Sequence, residues 1–128
     1  KILTITSSPY LTCYKIDNSG NNIGVDCPIN FEIETPSGIK QSNNFAGIPG
    51  AAFEEVDIND DGGGEMFFII PFAEQGEYKI RLTPLANADQ EIKFALKGKN
   101  NQENVTINEG NVGGLNLEPI LVDIKTNS

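Results

Sequence analysis

Asp57, Asn59 and Asp61 stand at alternate positions ahead of Gly62, in the string D-I-N-D-D-G-G-G-E that runs from Asp57 to Glu65. The string satisfies D-x-[DN]-x-[DN]-G, the first half of a calcium loop. Alternation matters because a tightly curled loop turns every second side chain onto one ion, with glycine at the sharp bend. Calcium wants six to eight oxygens, so these three residues and a backbone carbonyl near Gly63 leave the shell short. Glu65, at the ninth position, is the candidate to extend it directly or through water, with Glu54, Glu55 or a distant acid supplying the rest. The twelfth position, where a helix-loop-helix sensor places its bidentate Glu, is Phe68, and no helical pattern flanks the loop. If the string binds an ion, the site is a strand-to-strand calcium loop and not a helix-loop-helix sensor. The competing reading is a polar hairpin tip, in which Asp, Asn and Gly satisfy turn geometry and keep a sheet edge soluble.

Other chemistries find fewer parts. The chain has no His, so Ser-His-Asp and Cys-His nucleophiles and imidazole metal ligands are excluded. Gly62 to Gly64 are not followed by G-K-[ST], so a phosphate cradle is unsupported. Paired carboxylates for glycoside hydrolysis are numerically available, but a small sandwich has little room for the cleft that raises one of them, and no catalysis is expected. Carbohydrate binding by stacking would have to use Tyr10, Tyr14 and Tyr78 without any Trp, and these tyrosines read equally as strand or core residues.

The charge balance selects partners. The net charge of -9 opposes nucleic acid and anionic lipid and favours cations. Between Lys40 and Lys79 there is no base at all, while Glu54, Glu55, Asp57, Asp60, Asp61, Glu65, Glu74 and Glu77 fall there. Such a run is either a solvated face or the surroundings of a cation.

These residues must be positioned by strands. Alternation places Ile29, Phe31 and Ile33 inward in I-N-F-E-I-E-T, Tyr78, Ile80 and Leu82 inward in E-Y-K-I-R-L, and Ile92, Phe94 and Leu96 inward in E-I-K-F-A-L-K. M-F-F-I-I-P-F is apolar on both parities and predicts a central strand covered on both sides, closed by Pro71. Weaker strands are expected in I-L-T-I-T, A-A-F-E-E-V-D-I, N-V-T-I-N and L-N-L-E-P-I-L-V-D-I, with Pro119 breaking the last. Turn clusters such as D-N-S-G-N-N and N-E-G-N-V-G-G separate them. The expectation is one all-β domain over residues 1–128, an antiparallel two-sheet sandwich, Ig-like or jelly-roll-like, with eight to nine strands and little or no helix. A chain of 128 residues suits a single core.

Cys13 and Cys27 are symmetric about Gly20, so a hairpin turning at D-N-S-G-N-N would oppose them within disulfide reach. A disulfide is predicted, against the alternative of two buried thiols. Two cysteines without His do not make a typical structural zinc site. No run of about eighteen apolar residues is present. Lys1 opens directly on an alternating segment, so an export signal is expected to have been removed or to lie outside the sequence.

The opening I-L-T-I-T-S-S-P-Y-L-T-C-Y-K-I-D-N-S-G-N-N-I-G, the segment A-G-I-P-G-A-A-F-E-E and the pair F-F-I-I-P-F-A-E-Q-G-E-Y-K-I-R-L, in that order, resemble β-sandwich accessory modules of secreted bacterial proteins. Those modules often lie next to von Willebrand A-type or hydrolase domains. The chain departs from their pattern in a longer insert from Cys27 to Asn44 and in the acidic loop before Glu65. The resemblance implies an extracellular or cell-surface Ig-like sandwich and carries over no functional residue. The functional expectation is a non-catalytic accessory or interaction module that supports or positions a neighbouring domain, stabilised by calcium if the acidic loop takes the ion. The alternatives are a self-assembling filament or surface-layer subunit, in which Lys1 to Thr6 adds a strand to the next copy, and a carbohydrate-binding module.

Overall fold

The computed structural model describes residues 2–57, 63–69 and 74–125. Among these residues, eleven strands form two packed sheets. They are β1 (Leu3–Ile5), β2 (Tyr10–Ile16), β3 (Asn22–Val25), β4 (Ile29–Glu34), β5 (Lys40–Ser42), β6 (Ala52–Val56), β7 (Glu65–Ile69), β8 (Gly76–Pro84), β9 (Lys93–Asn100), β10 (Glu103–Asn111) and β11 (Ile120–Ile124). One sheet has the order β1-β11-β8-β4-β5 and the other β10-β9-β2-β7-β6, with β3 paired to β2 off that path. Among the described residues the helical structure is a single 3-10 turn at Val112–Gly114.

The two-sheet all-β architecture is the expected one, but the strand number exceeds the expected eight to nine. Two of the extra strands, N-I-G-V of β3 and K-Q-S of β5, are too short to display a period of two and form because longer neighbours offer them a ladder. Pairing is antiparallel except where β1 runs parallel to β11, Leu3 opposite Val122 and Ile5 opposite Ile124.

The core lies between the sheets where alternation placed it. Ile29, Phe31, Ile33, Tyr78, Ile80, Leu82, Phe94 and Leu96 are all buried, and Ile92 joins them just ahead of β9. Phe68 packs edge-on against both Phe31 of the opposite sheet and Phe53 of its own, with centroids 4.7 and 5.4 Å apart, which is the favourable quadrupole arrangement. Contrary to expectation, β7 is not covered on both faces. It is next to the edge strand β6, its pairing with β2 is confined to Tyr10–Leu11, and Ile69 is 47% exposed. The doubly apolar run reflects one core parity, Met66 and Phe68, plus an outward parity that is only partly shielded. Pro71 lies outside the described residues; Pro119 does break the last segment, with β11 beginning one residue later.

The disulfide forms between Cys13 and Cys27, with Cα atoms 5.2 Å apart. Its register differs from simple opposition: Cys13 faces Val25 in the β2–β3 hairpin, and Cys27 lies two residues beyond the ladder. The turn is set by Asp17, whose Oδ1 accepts from the N–H groups of Ser19 and Asn21, and by Gly20 at a φ of 85°, the left-handed region that glycine enters without a steric penalty.

Candidate functional site

The Asp57–Glu65 string is the connection between β6 and β7. Of the four candidate ligands, Asn59 and Asp61 lie outside the described residues, while Asp57 and Glu65 stand on its two limbs. Asp57 is exposed just after β6. Glu65 is 1% exposed, although it shares the outward parity of β7 with the exposed Ile69. A buried carboxylate is costly unless it accepts hydrogen bonds, and Glu65 Oε2 accepts one from Thr12 Oγ1 at 3.3 Å, on the neighbouring strand β2. Its charge, after burial, also raises the Tyr10 phenol above its ordinary value.

The limb leading into β7 is held by β3 and its exit. A Cβ at Gly63 would fall on the backbone of Val25, so a glycine is required there for close approach rather than for cradling phosphate. The next N–H, that of Gly64, donates to Asp26 Oδ1 at 2.7 Å. Glu55 stands beside this clasp: a Cβ at Gly64 would meet its side chain, and burial together with the Asp26 charge raises the Glu55 carboxyl above the usual range. The described limbs of the loop thus carry Asp57 and Glu65, the latter covered on the outward face of the sheet beside Thr12, with Asp26 and Glu55 next to Gly64. Hard oxygen donors of this kind suit calcium or magnesium rather than softer metals. Among the described residues, no group of three or more His, Cys, Asp or Glu side chains is placed to hold a metal ion.

Sequence reading missed Asp26 and Thr12. They meet the loop from 38 and 53 residues away, and no local pattern reports a contact of that separation. The signal available for Asp26 was its place next to Cys27, since a disulfide fixes whatever adjoins it.

Other acids hold turns and ladders. Asp89 accepts from the Glu91 N–H and pairs with Lys15 at 2.7 Å, and Arg81 bridges Glu32 and Glu34 across β4 and β8 at 3.2 and 2.7 Å. Of the three tyrosines, Tyr78 is a core residue whose hydroxyl donates to the Glu74 carbonyl, and Tyr10 and Tyr14 lie half-buried on the outward face of β2. The aromatic pairs seen are core phenylalanines. An open recess of about 200 Å³ lies where Leu82, Phe94, Leu115 and Ile120 meet the polar 108–118 segment. No described helix is long and apolar enough to cross a membrane.

Comparison with protein families, curated proteins and solved structures returns no match.

Proposed function

We propose that this chain is a non-catalytic, Ig-like accessory module of a larger secreted or cell-surface protein, serving to position or support a neighbouring domain. The observation that carries the reading is that six of the acids hold turns and strand ladders. Asp17, Asp26 and Asp89 clasp turns, Glu65 is buried against Thr12, and Glu32 and Glu34 are bridged by Arg81. A chain that spends its acids in this way builds a rigid spacer. The Cys13–Cys27 disulfide is compatible with an oxidising compartment, where such bonds persist.

Calcium belongs to the same proposal. Asp57, Asn59 and Asp61 would ligate it, with Glu65 or the rim carboxylates of Asp26 and Glu55 completing the shell. The ion would neutralise a corner where burial and the Asp26 charge already disfavour ionisation of Glu55.

The test is protease shaving of intact cells of the native source, followed by mass spectrometry under non-reducing conditions. Peptides of this chain should appear in the shaved fraction, continuous with flanking sequence and with Cys13 and Cys27 joined. Recovery instead as a free intracellular chain with both thiols reduced would sink the proposal.

A further inference from the structure

The first and last strands of a sandwich can be joined in two ways, and the choice decides how the fold meets tension. Here β1 and β11 are parallel neighbours, with Leu3, Thr4 and Ile5 opposite Val122, Asp123 and Ile124. Parallel pairing brings the chain in beside the start of β11 and takes it out beyond the end of β1. The Lys125 N–H donates to the Ile5 carbonyl at 3.0 Å, continuing the ladder to the exit. Opposed pulls on the two ends therefore slide β1 along β11. The hydrogen bonds of a parallel ladder are evenly spaced and slanted between the strands, so sliding loads them together, whereas peeling loads one at a time.

Two further contacts keep β1 from swinging away. Ile5 is fully buried between the sheets, its side chain against the bare backbone of Gly98 on β9, where a Cβ would come within 3.0 Å. Beyond it the chain crosses to the other sheet and is tied there. Thr6 N donates to the Lys99 carbonyl at 2.7 Å, Asn101 N donates to Thr6 Oγ1 at 2.7 Å, and Lys99 N donates to Ser7 Oγ at 2.9 Å. The β1 segment is thus fastened to both sheets within five residues. Farther along, the Cys13–Cys27 bond removes the β2–β3 turn from any path the load can take.

We infer that the β1–β11 pair, with its Thr6 and Ser7 ties to β9, is a shear clamp, and that the module bears tension between the segments that precede and follow it. The inference rests on the module reading above, since tension requires a chain that continues at both ends.

Single-molecule pulling on the disulfide-bonded protein tests it by geometry. One form carries handles before Leu3 and after Lys125; the other carries them before Leu3 and at Ala86, an exposed turn residue that follows β8. In the second form both handles lie toward the same end of the sheet, so β1 peels from β11 instead of sliding. The two forms are first matched for thermal midpoint. Forced unfolding reports the unfolding barrier, and the terminal pair should need at least about twofold more force than the Leu3-to-Ala86 pair at the same loading rate. Equal or lower force in the terminal geometry overturns the clamp while leaving the module reading intact. Recovery of the chain as a free intracellular protein overturns the module reading whatever the force.

Discussion

Gly63 and Glu55 are the residues in which the candidate site most directly opposes a substitution or a change of pH. Gly63 approaches the backbone of Val25 so closely that a methyl group must displace one strand end from the other. Gly63→Ala is expected to cost about 1–3 kcal/mol, the range for overpacking a tight contact, read as a lowered urea midpoint at constant slope. Glu55 acts in the opposite direction. Its carboxyl is raised by burial and by Asp26, so folding prefers the neutral acid. That preference is fully present below the unfolded-state value and is lost as pH rises through the folded-state value. Above that window the ionised Glu55 destabilises the fold. Glu55→Gln should therefore raise the urea midpoint at neutral pH, and the gain should vanish near pH 3, where an ordinary glutamate is already protonated. A gain of equal size at both pH values would assign it to packing instead of charge.

At the scale of elements, the β2–β3 hairpin is fastened by its disulfide and the middle of the 43–51 crossover by a buried amide. Cys13 and Cys27 enclose a short loop, with a sequence separation of 14. Chain-entropy arguments assign about 3 kcal/mol to closing a loop of that size. The Cys13→Ala/Cys27→Ala variant is expected to lose about that much, measured by urea unfolding against the oxidised parent. In the crossover, Gln41 is 3% exposed and its Oε1 accepts from the N–H groups of both Gly47 and Ile48, at 2.8 and 3.1 Å. Gln41→Leu keeps the volume but strands two backbone donors. It should cost about 1–3 kcal/mol and expose the 43–51 segment to limited proteolysis ahead of the rest of the chain. Sequence periodicity did not name β2, β3 or β5, and the two shortest of these, β3 and β5, adjoin these same two fastenings. Four- and three-residue strands carry too little pattern to be read alone, and their partners are what make them strands.

For the molecule as a whole, a net charge of -9 makes self-repulsion part of the stability, and a bound divalent cation would relieve it locally. A ligand held only by the folded state stabilises by RT ln(1 + [L]/Kd). Under the proposed function, millimolar calcium should raise the melting temperature and a chelator should lower it, followed by far-ultraviolet circular dichroism at fixed ionic strength. An identical melt in calcium and chelator would remove the ion from the proposal.

The sequence by itself determined the all-β class, the inward parity of Ile29, Phe31, Ile33, Tyr78, Ile80 and Leu82, the break at Pro119 and the cysteine pairing. Each of these follows from a local period or a local covalent possibility, which neighbouring residues state in full. Only the tertiary structure decided that Glu65 is covered beside Thr12 on the outer face of its sheet, that Asp26 clasps Gly64, that β7 lies beside an edge, and that β1 runs parallel to β11. The physical reason is distance along the chain. Contacts between residues 38, 53 or 119 positions apart depend on which strands become neighbours, and strand order is set by how two sheets close over one core rather than by the pattern of either partner.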